Sequence, residues 1–359
     1  MPYLLAAIVV FAVIAILMVI GKKGGSSSQK KGGKNKSQAQ IIKEANRKLA
    51  RNPNDEAGLT ELGDLYFSSG LWDKAYPIYD RLTKLAKSKV DMDPYKYLLR
   101  ASICAIKLEK NEEALLYLQE AYKKHPHDFD LNYNLGIALY KLKQYDKAAT
   151  SLKKSLLAKP EAEGVSFILG HCLYLGHHFH DSLPLLKKAL TEDPGNKEAL
   201  FCMADAMAQE GHGDKAIKVF MHLRADPSFG PKSCLQAGIY HANMGDYDNA
   251  IQDFTIGLKH ENIDPNIKLE TEYRLGICYF SKNQFANGLV LLKQVRSVNP
   301  NYKDTATLIA RYQELSQNSN LQIYLSAGTG EFVALCRKVV AAIYKDSNIK
   351  ILDIKNNMY

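Results

Sequence analysis

From Glu56 to Tyr302 the apolar and small residues return in one register about every 34 positions. Pairs of the Leu-Gly type mark it: Leu62-Gly63, Ala101-Ser102, Leu135-Gly136, Leu169-Gly170, Met203-Ala204, Ala237-Gly238 and Leu275-Gly276. A small residue follows each pair at a fixed distance: Ala75, Ala114, Ala148, Ser182, Ala216, Ala250 and Gly288. One helical turn later stands a large apolar residue: Tyr79, Leu118, Leu152, Leu186, Phe220, Phe254 and Leu292. Pro126, Pro160, Pro194 and Pro300 close four of the repeats, and Pro227 closes another one residue early. The pattern predicts two short antiparallel helices per repeat. Small residues stand where the backbones cross, apolar ones fill either side, and Pro ends the second helix. The repeats begin near residues 56, 95, 129, 163, 197, 231 and 269. Ala39–Arg51 reads as a helix leading in, and Asn301–Ser316 as a helix capping the last apolar face, so the array covers 39–317.

This register resembles the tetratricopeptide repeat, on the Leu-Gly, Ala and Pro positions just named. The resemblance implies an all-α, right-handed superhelix that binds other proteins, with no cofactor and no catalysis. Chaperone-binding members of the family grip a terminal carboxylate with Lys, Asn and Arg. The corresponding positions here hold Thr60, Asp64 and Ile168 among others, so that clamp is not expected.

The chain opens differently. Tyr3–Ile20 is an unbroken apolar run, long enough as a helix to reach ~27 Å and span a bilayer's hydrocarbon core. A cleaved signal peptide is the rival reading, but it calls for a positive start and a small-x-small cleavage site. The expectation is a single-pass transmembrane helix over 1–20. A flexible Lys/Gly/Ser-rich linker follows over 21–38, with a composition that cannot bury a core.

Charge follows from that linker. The net charge is +9, and Lys22, Lys23, Lys30, Lys31, Lys34 and Lys36 supply six of it, leaving 9 − 6 = +3 for the remainder. Nucleic acid is therefore not an expected partner. Positive charge on the C-terminal flank puts the repeats in the cytoplasm, with the periplasm as the alternative. Lys22, Lys23, Lys30 and Lys31 are placed to touch anionic lipid, or serve only as a solvated stop-transfer flank.

No catalytic pattern emerges. His171-Cys172, His177-His178 and His180 match no zinc spacing, and the last three fall at a turn between helices. Cys104, Cys172 and Cys278 share one repeat position that suits a small packed residue, so they read as reduced packing thiols. The extension 318–359 departs from the array and reads as a small α/β-like piece. Leu321–Leu325 and Asn348–Ile354 read as strands around a helix over Gly330–Tyr344. Ala327-Gly328-Thr329-Gly330 lacks the Lys-Ser/Thr of a phosphate loop.

The informative face is the one lined by the first helices. Every third or fourth residue there gives Leu99, Ile103 and Ile106, then Tyr133, Ile137 and Tyr140, then Phe167, His171 and Tyr174. Phe201, Ile239, Tyr273, Ile277 and Phe280 continue the series. Some of these serve as ordinary helix interface. An apolar, aromatic stripe left over would be a groove for an amphipathic helix or an extended peptide. The preferred reading is a membrane-anchored scaffold that binds protein partners in this groove. A structural subunit of a large envelope assembly such as a flagellar-motor collar, or a receptor for membrane-targeted proteins, are the alternatives in that class. An enzyme with a nuclease-like domain starting at Leu321 is the alternative outside it.

Overall fold

A computed structural model describes residues 37–89, 93–326 and 328–345, and its regular structure is α-helical throughout. Tyr3–Ile20, the linker lysines and the strand expected over Asn348–Ile354 lie outside the described residues. Among the described residues no helix is long and apolar enough to cross a membrane.

The chain forms two compact units, residues 1–85 and 86–359. In the first, α1 (Gln38–Arg51) precedes a helix pair, α2 (Glu56–Ser68) and α3 (Trp72–Lys87), the last of which runs just past the boundary. Ser37 and Gln40 start α1 with a reciprocal capping box. Asp55 accepts the Gly58 N–H to start α2. Ala45, Ala75, Tyr79 and Leu82 are fully buried here, with Phe67 edge-on to Tyr79.

The second unit holds six more pairs. They are α4 (Tyr95–Lys107) with α5 (Asn111–Tyr122), α6 (Phe129–Lys141) with α7 (Tyr145–Ala158), and α8 (Val165–Leu175) with α9 (Phe179–Glu192). Then come α10 (Lys197–Gln209) with α11 (Gly213–Leu223), α12 (Gly230–Asn243) with α13 (Tyr247–Leu258), and α14 (Pro265–Ser281) with α15 (Phe285–Val298). Each helix packs on the next in sequence, and the first helices α4 and α6, α8 and α10, and α12 and α14 also touch.

The small-then-large pairs of the repeat carry the core. Leu118, Leu152, Leu186, Phe220, Phe254 and Leu292 are at most 1% exposed, as are the small residues from Ala114 to Ala250. The reason is visible at two glycines. A Cβ on Gly136 would sit 2.5 Å from Leu152 Cγ, and one on Gly238 would sit 2.4 Å from Phe254 Cε1. The large side chain of the second helix lies directly on the backbone of the first.

The turn inside each repeat is also uniform. Gly70, Glu109, Lys143, His177, Gly211, Gly245 and Asn283 all have positive φ. The N–H that follows each one reaches back to the last turn of the first helix, as in His178 N–H to Leu173 O (2.8 Å) and Gln144 N–H to Leu139 O (2.9 Å). This is the Schellman ending, which favours Gly at that position. Four repeats do without it, with Glu109, Lys143, His177 and Asn283 in its place.

After the pairs come α16 (Thr305–Gln317), α17 (Ser319–Ser326) and α18 (Thr329–Ile343). The strand expected over Leu321–Leu325 is thus a helix, and the α/β reading of the tail does not hold for the described residues. Asn318 Oδ1 accepts the Leu321 N–H at 2.9 Å. That cap starts a helix on a sequence whose alternation reads equally well as a strand.

Candidate protein-binding face

The first helices α4, α6, α8, α10, α12 and α14 stand side by side within the second unit, and the residues picked out for the groove divide on them. Leu99, Ile103, Tyr133, Ile137, Tyr140, Phe167, Tyr174, Ile239 and Ile277 are half-buried. Ile106, His171, Phe201, Tyr273 and Phe280 are buried.

The buried five correct the expectation of an open stripe, and the ring contacts give the cause in four. Phe201 packs on Phe220 and Phe229, at ring-centre distances of 5.9 and 6.0 Å. Phe280 is stacked on Tyr312 of α16 at 3.7 Å, and Tyr273 is crossed by Tyr302 at 5.6 Å. His171 lies between Phe167 (5.5 Å) and Tyr140 (5.7 Å), with Tyr174 at 6.2 Å. These rings are spent on packing between helices.

What remains open is densest in repeats three and four. Tyr140 and Tyr174 occupy the same position in successive repeats, and each bonds the residue at one shared position of the next repeat. Tyr140 Oη is 3.2 Å from His171 Nδ1, and Tyr174 donates to Asp205 Oδ2 at 2.6 Å. Burial is the first cause that holds both phenols well above their usual range, reinforced for Tyr174 by the Asp205 carboxylate. Burial also lowers His171, against a smaller opposing pull from Glu198. A neutral ring that takes the Tyr140 hydroxyl on Nδ1 presents Nε2–H to Glu198 Oε1, 4.0 Å away.

Counting apolar residues therefore missed two carboxylates on this face. Asp205 stands where other repeats carry Ile103, Ile137, Ile239 and Ile277, and an acid in that series was the available signal. Glu198 is two turns before it on α10.

The histidine cluster at the turn is used locally. His178 Nε2 meets Asp146 at 2.9 Å and His180 Nδ1 meets Glu210 at 3.5 Å, both on the surface. Among the described residues no group of three His, Cys, Asp or Glu is placed to hold a metal. Cys104, Cys172, Cys202, Cys234 and Cys278 are buried and free, and burial pushes the first three thiols up to about 12. They are packing residues in the sense of the sequence reading.

A family model of the tetratricopeptide repeat matches residues 105–166 and 177–227. No curated protein matches the sequence. Several solved structures are similar. A tetratricopeptide repeat protein from Parabacteroides merdae is 15% identical, with a TM-score of 0.47 over 72% of this chain and 98% of its own. MamA from Desulfovibrio magneticus RS-1 is 25% identical, with a TM-score of 0.43 over 47% of this chain and 96% of its own. The Cut9–Hcn1 hetero-tetramer of the APC/C is 15% identical, with a TM-score of 0.46 over 76% of this chain and 52% of its own. Tetratricopeptide repeats are thus present in the two matched stretches.

Proposed function

We propose that this chain is a scaffold that captures protein partners on the face formed by its first helices, and that Tyr3–Ile20 holds it in a membrane. The observation that carries the capture is the run of half-open aromatic rings Tyr140, Phe167 and Tyr174 on adjacent repeats. Such rings suit an amphipathic helix or extended peptide, and aromatic anchors dominate binding energy in desolvated grooves. The work proposed is binding rather than catalysis, with Tyr140–His171 and Tyr174–Asp205 serving as structural pairs on this face.

The membrane part rests on sequence alone: the length of the apolar run and the lysines on one flank. On this reading the lysine flank favours repeats on the cytoplasmic side of the membrane, with the periplasm as the alternative, and leaves Lys22, Lys23, Lys30 and Lys31 available to anionic headgroups.

A photo-crosslinking residue at Phe167 tests the capture. Irradiated in cells, it should give discrete adducts with partner proteins, while the same residue at Leu157, 81% exposed on α7, should give none. Equal labelling from both positions would place binding elsewhere. For the anchor, the full chain should stay in membranes through a carbonate wash, whereas a chain starting at Ala39 should not. Release of the full chain by carbonate would end that reading.

A further inference from the structure

The groove between α8 and α10 has a floor unlike the rest. Asp205 is only 7% exposed. One of its oxygens accepts the Tyr174 hydroxyl, while the other, Oδ1, is buried with no donor among the described residues. A buried carboxylate oxygen without a donor is unusual, and each such case asks for a missing partner. Glu198 lies seven residues earlier on the same helix face, with its side chain half open and no cation in contact beyond the long approach to His171. The field of Lys232 on α12 reaches His171 and Cys202, yet among the described residues it pairs with neither carboxylate.

The walls are aromatic. Phe167 stacks on His171, and His171 in turn faces Tyr174. Burial keeps the imidazole neutral at neutral pH, so it does not repel a cation. A long aliphatic stem lies well against such rings while its charged head reaches past them.

We infer that this stretch of the groove receives a lysine or arginine side chain from the bound partner segment. Its stem lies along the Phe167–His171–Tyr174 rings and its cation lies on Asp205 and Glu198. The inference rests on the scaffold reading above and adds the chemistry of the guest: an apolar segment carrying a basic residue, rather than an acidic or purely apolar one.

The test is a selection of random 16-residue peptides displayed on phage against the full chain held in detergent. Selected peptides should share apolar residues at helical spacing around one Lys or Arg. Changing that residue to norleucine should weaken binding at least tenfold. Asp205→Asn keeps an oxygen for the Tyr174 hydroxyl but removes the charge and turns the other oxygen into an NH2 donor, so it should abolish the preference. Glu198→Gln, at an exposed position that folding does not depend on, should reduce it. Peptides that bind through the groove, as shown by loss in Phe167→Ala, but carry acidic or only apolar residues overturn the inference and leave the scaffold reading standing. If no peptide is enriched, or binders ignore Phe167→Ala, the groove reading falls and this inference with it. Self-association of the chain that Phe167→Ala abolishes would make a second copy the occupant and overturn it as well.

Discussion

Repeats four and seven place aromatic residues at the same positions of their first helices, yet the middle and the end of the array treat them oppositely. In repeat four, Phe167 and Tyr174 keep part of their surface open. In repeat seven, Tyr273 and Phe280 are 8% and 4% exposed. The difference is what comes next. After repeat four another repeat follows, and its first helix lies alongside without covering the face. After repeat seven, the segment leading into α16 folds over it. Tyr302 and Lys303 both donate to Glu270, and Tyr273 donates to Asp304. Lys303 sits over the Tyr273 ring at 4.7 Å, and Tyr312 stacks on Phe280. An identical position is thus groove or core according to its neighbour. Solenoids require such a closing element where the stacking stops.

The largest test of that contrast is a cavity. Phe280→Ala should destabilise the second unit by about 3–5 kcal/mol, comparable to Leu152→Ala at about 2–5, because both open holes in packed core. Chemical denaturation reads it directly. The same truncation in the middle should behave differently. Tyr140→Ala with Tyr174→Ala should weaken partner capture by ~30-fold, about 2 kcal/mol, while lowering the melting temperature less than Phe280→Ala does. If the tyrosine pair costs as much stability as Phe280→Ala, the middle and the end of the array are alike and the groove reading is lost.

A smaller effect separates the repeats by their turns. Glu109, Lys143 and His177 hold positive φ in repeats two to four, where repeats five and six have Gly211 and Gly245 and repeat seven has Asn283. Holding a residue with a Cβ there costs about 1–2 kcal/mol, and glycine returns part of that as chain entropy. Each of Glu109→Gly, Lys143→Gly and His177→Gly should therefore raise stability by about 0.5–1 kcal/mol. A loss of stability in all three would show that the turn carries no strain.

The smallest concerns the strap at the end. Burial alone would raise the Glu270 carboxyl, but hydrogen bonds from Lys303, Tyr302 and Arg274 outweigh it and hold the group below its ordinary 4.5. A carboxylate depressed in the folded state adds stability that is present above about 4.5 and is lost as pH falls through the folded value. Melting of the wild type should therefore drop on acidification below that point. Glu270→Gln should start lower and show a shallower drop. An unchanged acid slope would mean that the strap contributes nothing.

Much of this architecture could be read before any coordinates. The spacing of Gly136, Ala148 and Leu152, repeated along the chain, is a packing rule in one dimension: a large side chain on a bare backbone wherever two helices cross. Because each repeat meets mainly its neighbours, the rule needs no long-range knowledge, and the buried set from Ala114 to Leu292 followed from it. Periodicity is less informative wherever the partner is not another repeat. Phe280 and Tyr273 carry the same pattern as Phe167 and Tyr174, and only the placement of Tyr302, Asp304 and Tyr312 closes them. Leu321–Leu325 alternates like a strand, and a single cap from Asn318 makes it a helix. The orphan oxygen of Asp205 was likewise out of reach. Its position was legible as an acid in a series that is mostly isoleucine, but whether a carboxylate there finds a donor depends on which side chains three adjacent helices bring to it. The sequence determined the repeated contacts, since those recur at fixed spacing. The tertiary structure decided what is exposed and what is satisfied, since both depend on neighbours that occur only once.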